Sequence, residues 1–289
     1  MDSRWIRVLR VGTVALAVGV VAAVGSVSRS ASASEAPVVN LSTNQVFPDA
    51  SNGALGNLRV TVGSSDLPVT VSLKRKGVVL QTKTVTNSGS TVSFATSTLR
   101  AGTYAVVASD GQDVTTRSVR VYRGWAPIDQ SRPSWARCTT VTWSYDATGA
   151  PQGGSVGLVQ DIKTTLQTLH EATGLTFTRR TTGGALVVRW GDAGGADGLG
   201  GLTWSTGPGT ATQGFIGLNK SSQWAKTPGV DERGVLLLHE GSHALGLGHV
   251  DKDASLMSPT YRPGLTNSTL GSAEFAAYVQ MYRPATCGT

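Results

Sequence analysis

The stretch His239-Glu240-Gly241-Ser242-His243-Ala244-Leu245-Gly246-Leu247-Gly248-His249 holds three of the four histidines in a chain of 289 residues. An apolar run, Val235-Leu236-Leu237-Leu238, leads into it and predicts a helix that begins near Asp231. At ~3.6 residues per turn, side chains four positions apart project from one face, so His239 and His243 can meet a single ion. Glu240 stands beside that face, within reach of a water held there. Gly246 follows three positions after His243, where a chain leaving a helix sharply needs the positive φ that glycine adopts without steric cost. The turn lets His249 swing back as a third ligand. Three neutral imidazoles with one open position form the donor set of a catalytic zinc site, whereas a structural site closes the fourth position with another protein ligand. Glu240 is then the candidate general base for a water acidified by the metal. His170 has no metal-binding partner near it in sequence and is read as a packing residue.

These residues complete the pattern H-E-x-x-H-x-x-G-x-x-H, and the chain resembles the metzincin clan of zinc metallopeptidases. Ser255-Leu256-Met257-Ser258-Pro259 resembles the clan's methionine turn, which implies that Met257 packs beneath the metal without binding it. Within the clan the likeness is nearest to the matrixin group, in a secreted form of bacterial type. His243 to His249 reproduce its local wording, Pro259-Thr260-Tyr261 resembles the segment after its methionine turn, and Val279-Gln280-Met281-Tyr282 the end of its last helix. The resemblance covers residues 139–282 and is strongest over 239–261. It implies a twisted sheet with two long helices, one catalytic Zn2+, and hydrolysis of peptide bonds by a zinc-bound water with Glu240 as base. It also implies an extended protein or peptide substrate lying along an edge strand near Leu202–Trp204. Some features depart from the group. Gly and Ser stand in the order Gly241-Ser242, and Ala136-Arg137-Cys138 shares only an Arg-Cys pair with the inhibitory cysteine motif of animal members. The loop that carries structural calcium and zinc in those members is replaced by Gly191–Thr212, where Asp192 and Asp197 are either calcium ligands or part of a solvated loop.

Working outward, Thr139–Tyr145, Leu186–Trp190 and Phe215–Leu218 read as strands. Ser155–Thr173 reads as a helix on the spacing of Leu158, Ile162, Leu166, Leu169 and Ala172, stopped by Gly174. Gly191–Thr212 reads as a long surface excursion. From Val38 to Val121 the pattern is strands alone, Leu58–Val62, Val69–Leu73, Val78–Val85, Thr91–Phe94, Thr103–Ala108 and Val114–Val121, which predicts a sandwich of about seven strands. Ala101-Gly102-Thr103-Tyr104 resembles the tyrosine corner of immunoglobulin-like domains. Gly124, Pro127, Gln130 and Pro133 break the pattern between the two halves. The expected architecture is therefore a signal segment at 1–33, an all-β immunoglobulin-like sandwich at 34–121, a linker at 122–135, and an α/β (α+β) metzincin-type catalytic domain at 136–289.

Arg4, Arg7 and Arg10 ahead of the apolar run Val11–Val27, followed by Ala31-Ser32-Ala33, predict a cleaved secretory signal, with an uncleaved membrane anchor as the rival reading. Loss of residues 1–33 lowers the formal net charge from +7 to +4, since they carry four Arg and one Asp. That mild charge, with Lys74-Arg75-Lys76 placed in a turn, argues against nucleic acid as a partner. An extracellular location and an even cysteine count favour a bridge between Cys138 and Cys287 over a free thiol at Cys138 that blocks the metal. Three readings of function follow. In the first, the chain is a secreted zinc endopeptidase whose β-domain binds substrate or a cell surface. In the second it is a non-catalytic adhesion protein with a structural zinc. In the third, residues 34–125 are a removable pro-segment. Peptide mapping of the unreduced protein is expected to show Cys138 joined to Cys287, and alkylation of both thiols without reduction would reject that bridge.

Overall fold

Val69, Val71 and Leu73 alternate with polar neighbours, and a strand of that period buries a single face. All three are fully buried while Thr70 faces solvent. The structure, a computed structural model, describes residues 35–205, 209–261 and 268–282. In its first half, β1 (Val38–Leu41), β2 (Gln45–Val46), the single-turn α1 (Gly53–Gly56), β3 (Leu58–Gly63), β4 (Val69–Arg75), β5 (Val78–Val85), β6 (Ser90–Phe94), β7 (Gly102–Ser109) and β8 (Val114–Val121) follow in order. They form one sheet of order β1-β3-β6 and another of order β2-β8-β7-β4-β5. Pairing is antiparallel except between β2 and β8. Side chains from both sheets meet in one hydrophobic cluster. The buried Tyr104 donates its hydroxyl hydrogen to the Arg100 carbonyl at 2.7 Å.

The second half is mixed α/β. It runs β9 (Ala126–Pro127), β10 (Thr140–Asp146), α2 (Leu158–Thr173), β11 (Thr176–Arg179), β12 (Leu186–Gly191), β13 (Gly198–Trp204), β14 (Ala211–Asn219), α3 (Gln223–Lys226), α4 (Arg233–Ala244), β15 (Leu247–Gly248) and α5 (Ser272–Met281). Strands β11-β10-β12-β14-β13 make one sheet, parallel throughout except for the edge strand β13. Leu158, Ile162, Leu166 and Leu169 of α2 are buried in a core shared with Val235 to Leu238 of α4 and with Leu186, Val188, Ile216 and Leu218 of the sheet. Gly174 ends α2 in the left-handed region, φ 75°, and returns its N–H to the His170 carbonyl.

Two segments differ from their reading in the sequence. Residues 191–212 contain the start of β14 and the edge strand β13, which includes the Leu202–Trp204 edge that the family resemblance implies, rather than an unbroken excursion. Glycines hide the strand because they supply no alternating side chains, although their N–H and C=O groups complete the ladder. Residues 122–135 are packed: Trp125, Ala126 and Trp135 are buried, and β9 pairs with β15. Proline and glycine there mark changes of direction within the core, which composition alone does not separate from a linker. Helix α4 starts at Arg233, two residues beyond Asp231. The signal segment at 1–33 and Cys287 lie outside the described residues, as do positions 262–267.

The N-terminal end of α4 is pinned by a buried ion pair. Arg233 is fully buried; its Nε and Nη2 donate to Asp161 Oδ2 on α2 at 2.9 and 2.6 Å, and its remaining donors reach the Gly154 and Val156 carbonyls. Removing one member of such a pair strands a charge away from water, at a cost of about 3–5 kcal/mol. Asp161→Ala is accordingly expected to destabilise the protein by about that amount in urea unfolding, and a loss under ~1 kcal/mol would place the pair among the weak surface bridges.

Candidate metal centre

The C-terminal end of α4 has carbonyls with no partner inside the helix. The Trp135 indole donates to the Ala244 carbonyl at 2.9 Å and the Tyr282 hydroxyl to the Leu245 carbonyl at 2.6 Å. Burial pushes the Tyr282 phenol well above its usual range, so it remains a donor. Gly246 then turns the chain at φ 96°. A Cβ at that position would stand 2.2 Å from the Pro133 carbonyl oxygen, so only glycine satisfies both the dihedral and the contact.

That turn carries His249 back to the helix. The Nε2 atom of His249 lies 3.1 Å from His239 Nε2 and 2.9 Å from His243 Nε2. On the far side of two rings, Nδ1 of His239 is 2.6 Å from the Leu256 carbonyl and Nδ1 of His243 is 2.7 Å from the Leu247 carbonyl. A carbonyl only accepts, so each Nδ1 carries the hydrogen and each Nε2 presents a lone pair to the centre. Burial, before any other cause, holds all three imidazoles towards the neutral form; for His249 the value falls to about 4. Ring nitrogens this close are held by a shared hydrogen or by a cation between them. Together with carbonyl partners behind the rings, that is the donor chemistry of a zinc site.

The methionine turn braces the same cluster from below. Leu256 supplies the carbonyl behind His239, and the Met257 carbonyl accepts from the Val250 N–H at 3.0 Å. Met257 is buried, and its own N–H bonds the Ser255 hydroxyl, which in turn reaches the buried Glu274 of α5.

Glu240, next to His239 on α4, is 5% exposed and so nearly removed from water. Burial pushes its carboxyl up to about 8; the Gly200 N–H works against that, and the charge of Asp197 adds to it. A metal cation held between the rings would act in the lowering direction. Strand β13 comes this close because of its glycines: a Cβ at Gly198 would meet the Glu240 carboxylate at 2.9 Å, and one at Gly200 the Glu240 carbonyl oxygen at 2.1 Å.

His239, His243 and His249 are thus brought together as the sequence pattern predicts, with Glu240 next to His239 on α4, Gly246 at the helix exit and Met257 next to the Leu256 carbonyl that meets His239. Cys138 lies ahead of β10 with φ 57°. Asp192 Oδ1 accepts from the Gly194 N–H and Asp197 Oδ1 from the Ser222 hydroxyl, so both carboxylates have protein donors. Sequence reasoning missed the carbonyls of Leu247 and Leu256, which leave no trace in residue type. It also missed the role of Gly198 and Gly200, whose spacing of two, on one face of a strand, was the available signal. Residues 134–283 match the family described as matrixin. No curated protein matches the chain.

The close approach of β13 to α4 yields a direct test. Gly200→Ala is expected to displace the strand, destabilise the fold by about 1–3 kcal/mol as overpacking does, and weaken any activity of the cluster. Wild-type unfolding and activity in that variant would show that the contact relaxes freely.

Proposed function

We propose that this chain, which belongs to the matrixin family of zinc-dependent metalloendopeptidases, is a secreted enzyme that cuts protein or peptide substrates with His239, His243 and His249 as metal ligands and Glu240 as general base. The observation that carries the reading is the convergence of three Nε2 atoms, in a cluster whose first member is followed in the chain by a buried carboxyl. Zinc, when bound, supplies Lewis acidity and draws the pKa of water at the open position towards ~7.

The protein's own groups account for the rest. Carbonyls behind His239 and His243 fix the tautomer and the ring planes, so both nitrogens are ready as ligands without rearrangement. Glu240 takes the proton of the attacking water and passes it to the leaving amine nitrogen; the Gly200 N–H orients its carboxylate. One long side of β13 is engaged by β14, and its other edge offers backbone N–H and C=O groups to an extended peptide. Secretion is supported by the signal-like segment ahead of residue 34. Two sheets around one core and the Tyr104 hydroxyl on Arg100 support an immunoglobulin-like reading of the N-terminal half.

The alternative of a purely structural zinc site has no use for Glu240, a carboxyl buried beside the cluster at the cost of desolvation. The discriminating experiment measures zinc content and cleavage of casein or a peptide library, with and without 1,10-phenanthroline. One zinc per chain and chelator-sensitive cleavage are expected. Glu240→Ala is expected to keep the zinc and lose cleavage by at least ~10²-fold, the scale of general-base assistance. Zinc binding with no cleavage by the wild type, across a broad peptide library, would favour the structural role.

A further inference from the structure

His249 differs from the other two ligands in how it is held. It sits on the chain after Gly246 rather than on α4, and among the described residues no hydrogen bond anchors its Nδ1. Its placement therefore depends on its backbone. That backbone is tied to the N-terminal half. Leu247 and Gly248 pair with Pro127 and Ala126 within the second half, but Val250 forms an antiparallel bridge with Ala50 of the first. The Ser51 N–H donates to the His249 carbonyl at 3.1 Å, and the Asp251 N–H donates to the Asp49 carbonyl at 2.8 Å.

The segment that grips His249 is itself fixed. It leaves β2 at Phe47, whose ring stacks on Tyr122 at 5.0 Å and meets Trp125 edge-on at 5.0 Å. Asp49 follows, 8% exposed. Its carboxylate accepts the Gly124 N–H at 2.6 Å and pairs with Arg123 at 3.2 Å and Lys252 at 3.1 Å. One carboxylate thereby joins three strands of chain, the last of them only three residues beyond His249.

We infer that Asp49 is a positioning residue for His249, and that residues 47–51 are a clamp built into the metal site rather than part of a detachable pro-segment. The inference rests on the zinc site proposed above. Cleavage of the chain near Trp125 with release of residues 34–124 would remove the bridge to Val250, the bond to the His249 carbonyl and the Asp49 carboxylate together. A ligand on a loop holds its place only as well as its supporting contacts do.

The test uses the full chain carrying Asp49→Ala, Asp49→Asn or, as a control, Val71→Ala, which lowers stability from the core of β4 without touching the clamp. Zinc affinity is read by competition with a chromophoric chelator, coordination geometry by the visible spectrum of the cobalt(II)-loaded protein, and loop order by amide exchange of residues 247–252 in metal-free protein. Asp49→Ala is expected to weaken zinc binding by ~10–100-fold, the scale of losing a group that supports a ligand, to shift the cobalt bands and to speed exchange in that loop. Asp49→Asn, which keeps an acceptor for Gly124, is expected to recover part of each. Val71→Ala is expected to leave affinity and spectrum unchanged. Wild-type affinity, spectrum and exchange in Asp49→Ala would overturn the clamp, as would an equal loss in Val71→Ala. Faster loop exchange in Asp49→Ala, in a protein whose wild type takes up no zinc, would overturn the zinc reading and support the clamp.

Discussion

Three imidazole nitrogens brought within 4.8 Å of one another are the constraint on which the second half of the molecule depends. Neutral rings do not adopt that arrangement by attraction. It persists because carbonyls of Leu247 and Leu256 take the Nδ1 hydrogens and because the surrounding chain leaves the rings nowhere else to turn. Both carbonyls belong to segments that follow α4, so the helix's ligands are oriented by chain that is itself placed by the helix's exit. The exit requires Gly246, and the Pro133 carbonyl close beside it leaves no room for a side chain there. Packing of residues 122–135 is thus bound up with the chemistry of a cluster more than a hundred positions later.

Axial placement of α4 matters for the same reason. Residues advance ~1.5 Å along a helix, so a slide of one position would move both ligands out of register with His249. Arg233 holds one end through Asp161 and two carbonyls, while Trp135 and Tyr282 hold the other through Ala244 and Leu245. Sideways, the limit is set by β13, where Gly198 and Gly200 allow contact with Glu240 that any side chain would block.

The sequence makes some of this legible and leaves other parts hidden, for physical reasons. Histidine spacing, the glycine after the helix and the methionine turn are read directly because each is a side-chain requirement at a fixed position. Helix α2 is legible because its apolar period matches its buried face, and its terminal glycine takes the expected left-handed conformation. Strand β13 is obscured because its stabilising groups are backbone amides and its glycines lack the alternation that marks a strand. Trp125 and Trp135 are indistinct for a different reason: isolated aromatics between prolines carry no period, and their burial depends on partners distant in sequence. Asp49 is the extreme case, since a lone aspartate after a proline looks like a turn until Arg123, Gly124 and Lys252 are seen around it.

Buried ionisable groups in the second half are concentrated around α4 and its supports. Charged groups make up only 15% of the chain, yet Arg233, Glu240 and Glu274 are almost wholly removed from water. Apolar residues of similar size would avoid the desolvation cost of several kcal/mol per ion. What apolar residues lack is direction: a guanidinium satisfied by one carboxylate and two carbonyls has a single acceptable position, whereas a leucine has many. Arg233 sets the start of the helix, Glu274 ties α5 to the methionine turn through Ser255, and Glu240 meets the glycines of β13. Asp49 extends the same logic into the first half, with a carboxylate that joins the N-terminal module to the chain carrying the third ligand. Around α4, burial of ionisable side chains thus falls where a side chain must point in one direction.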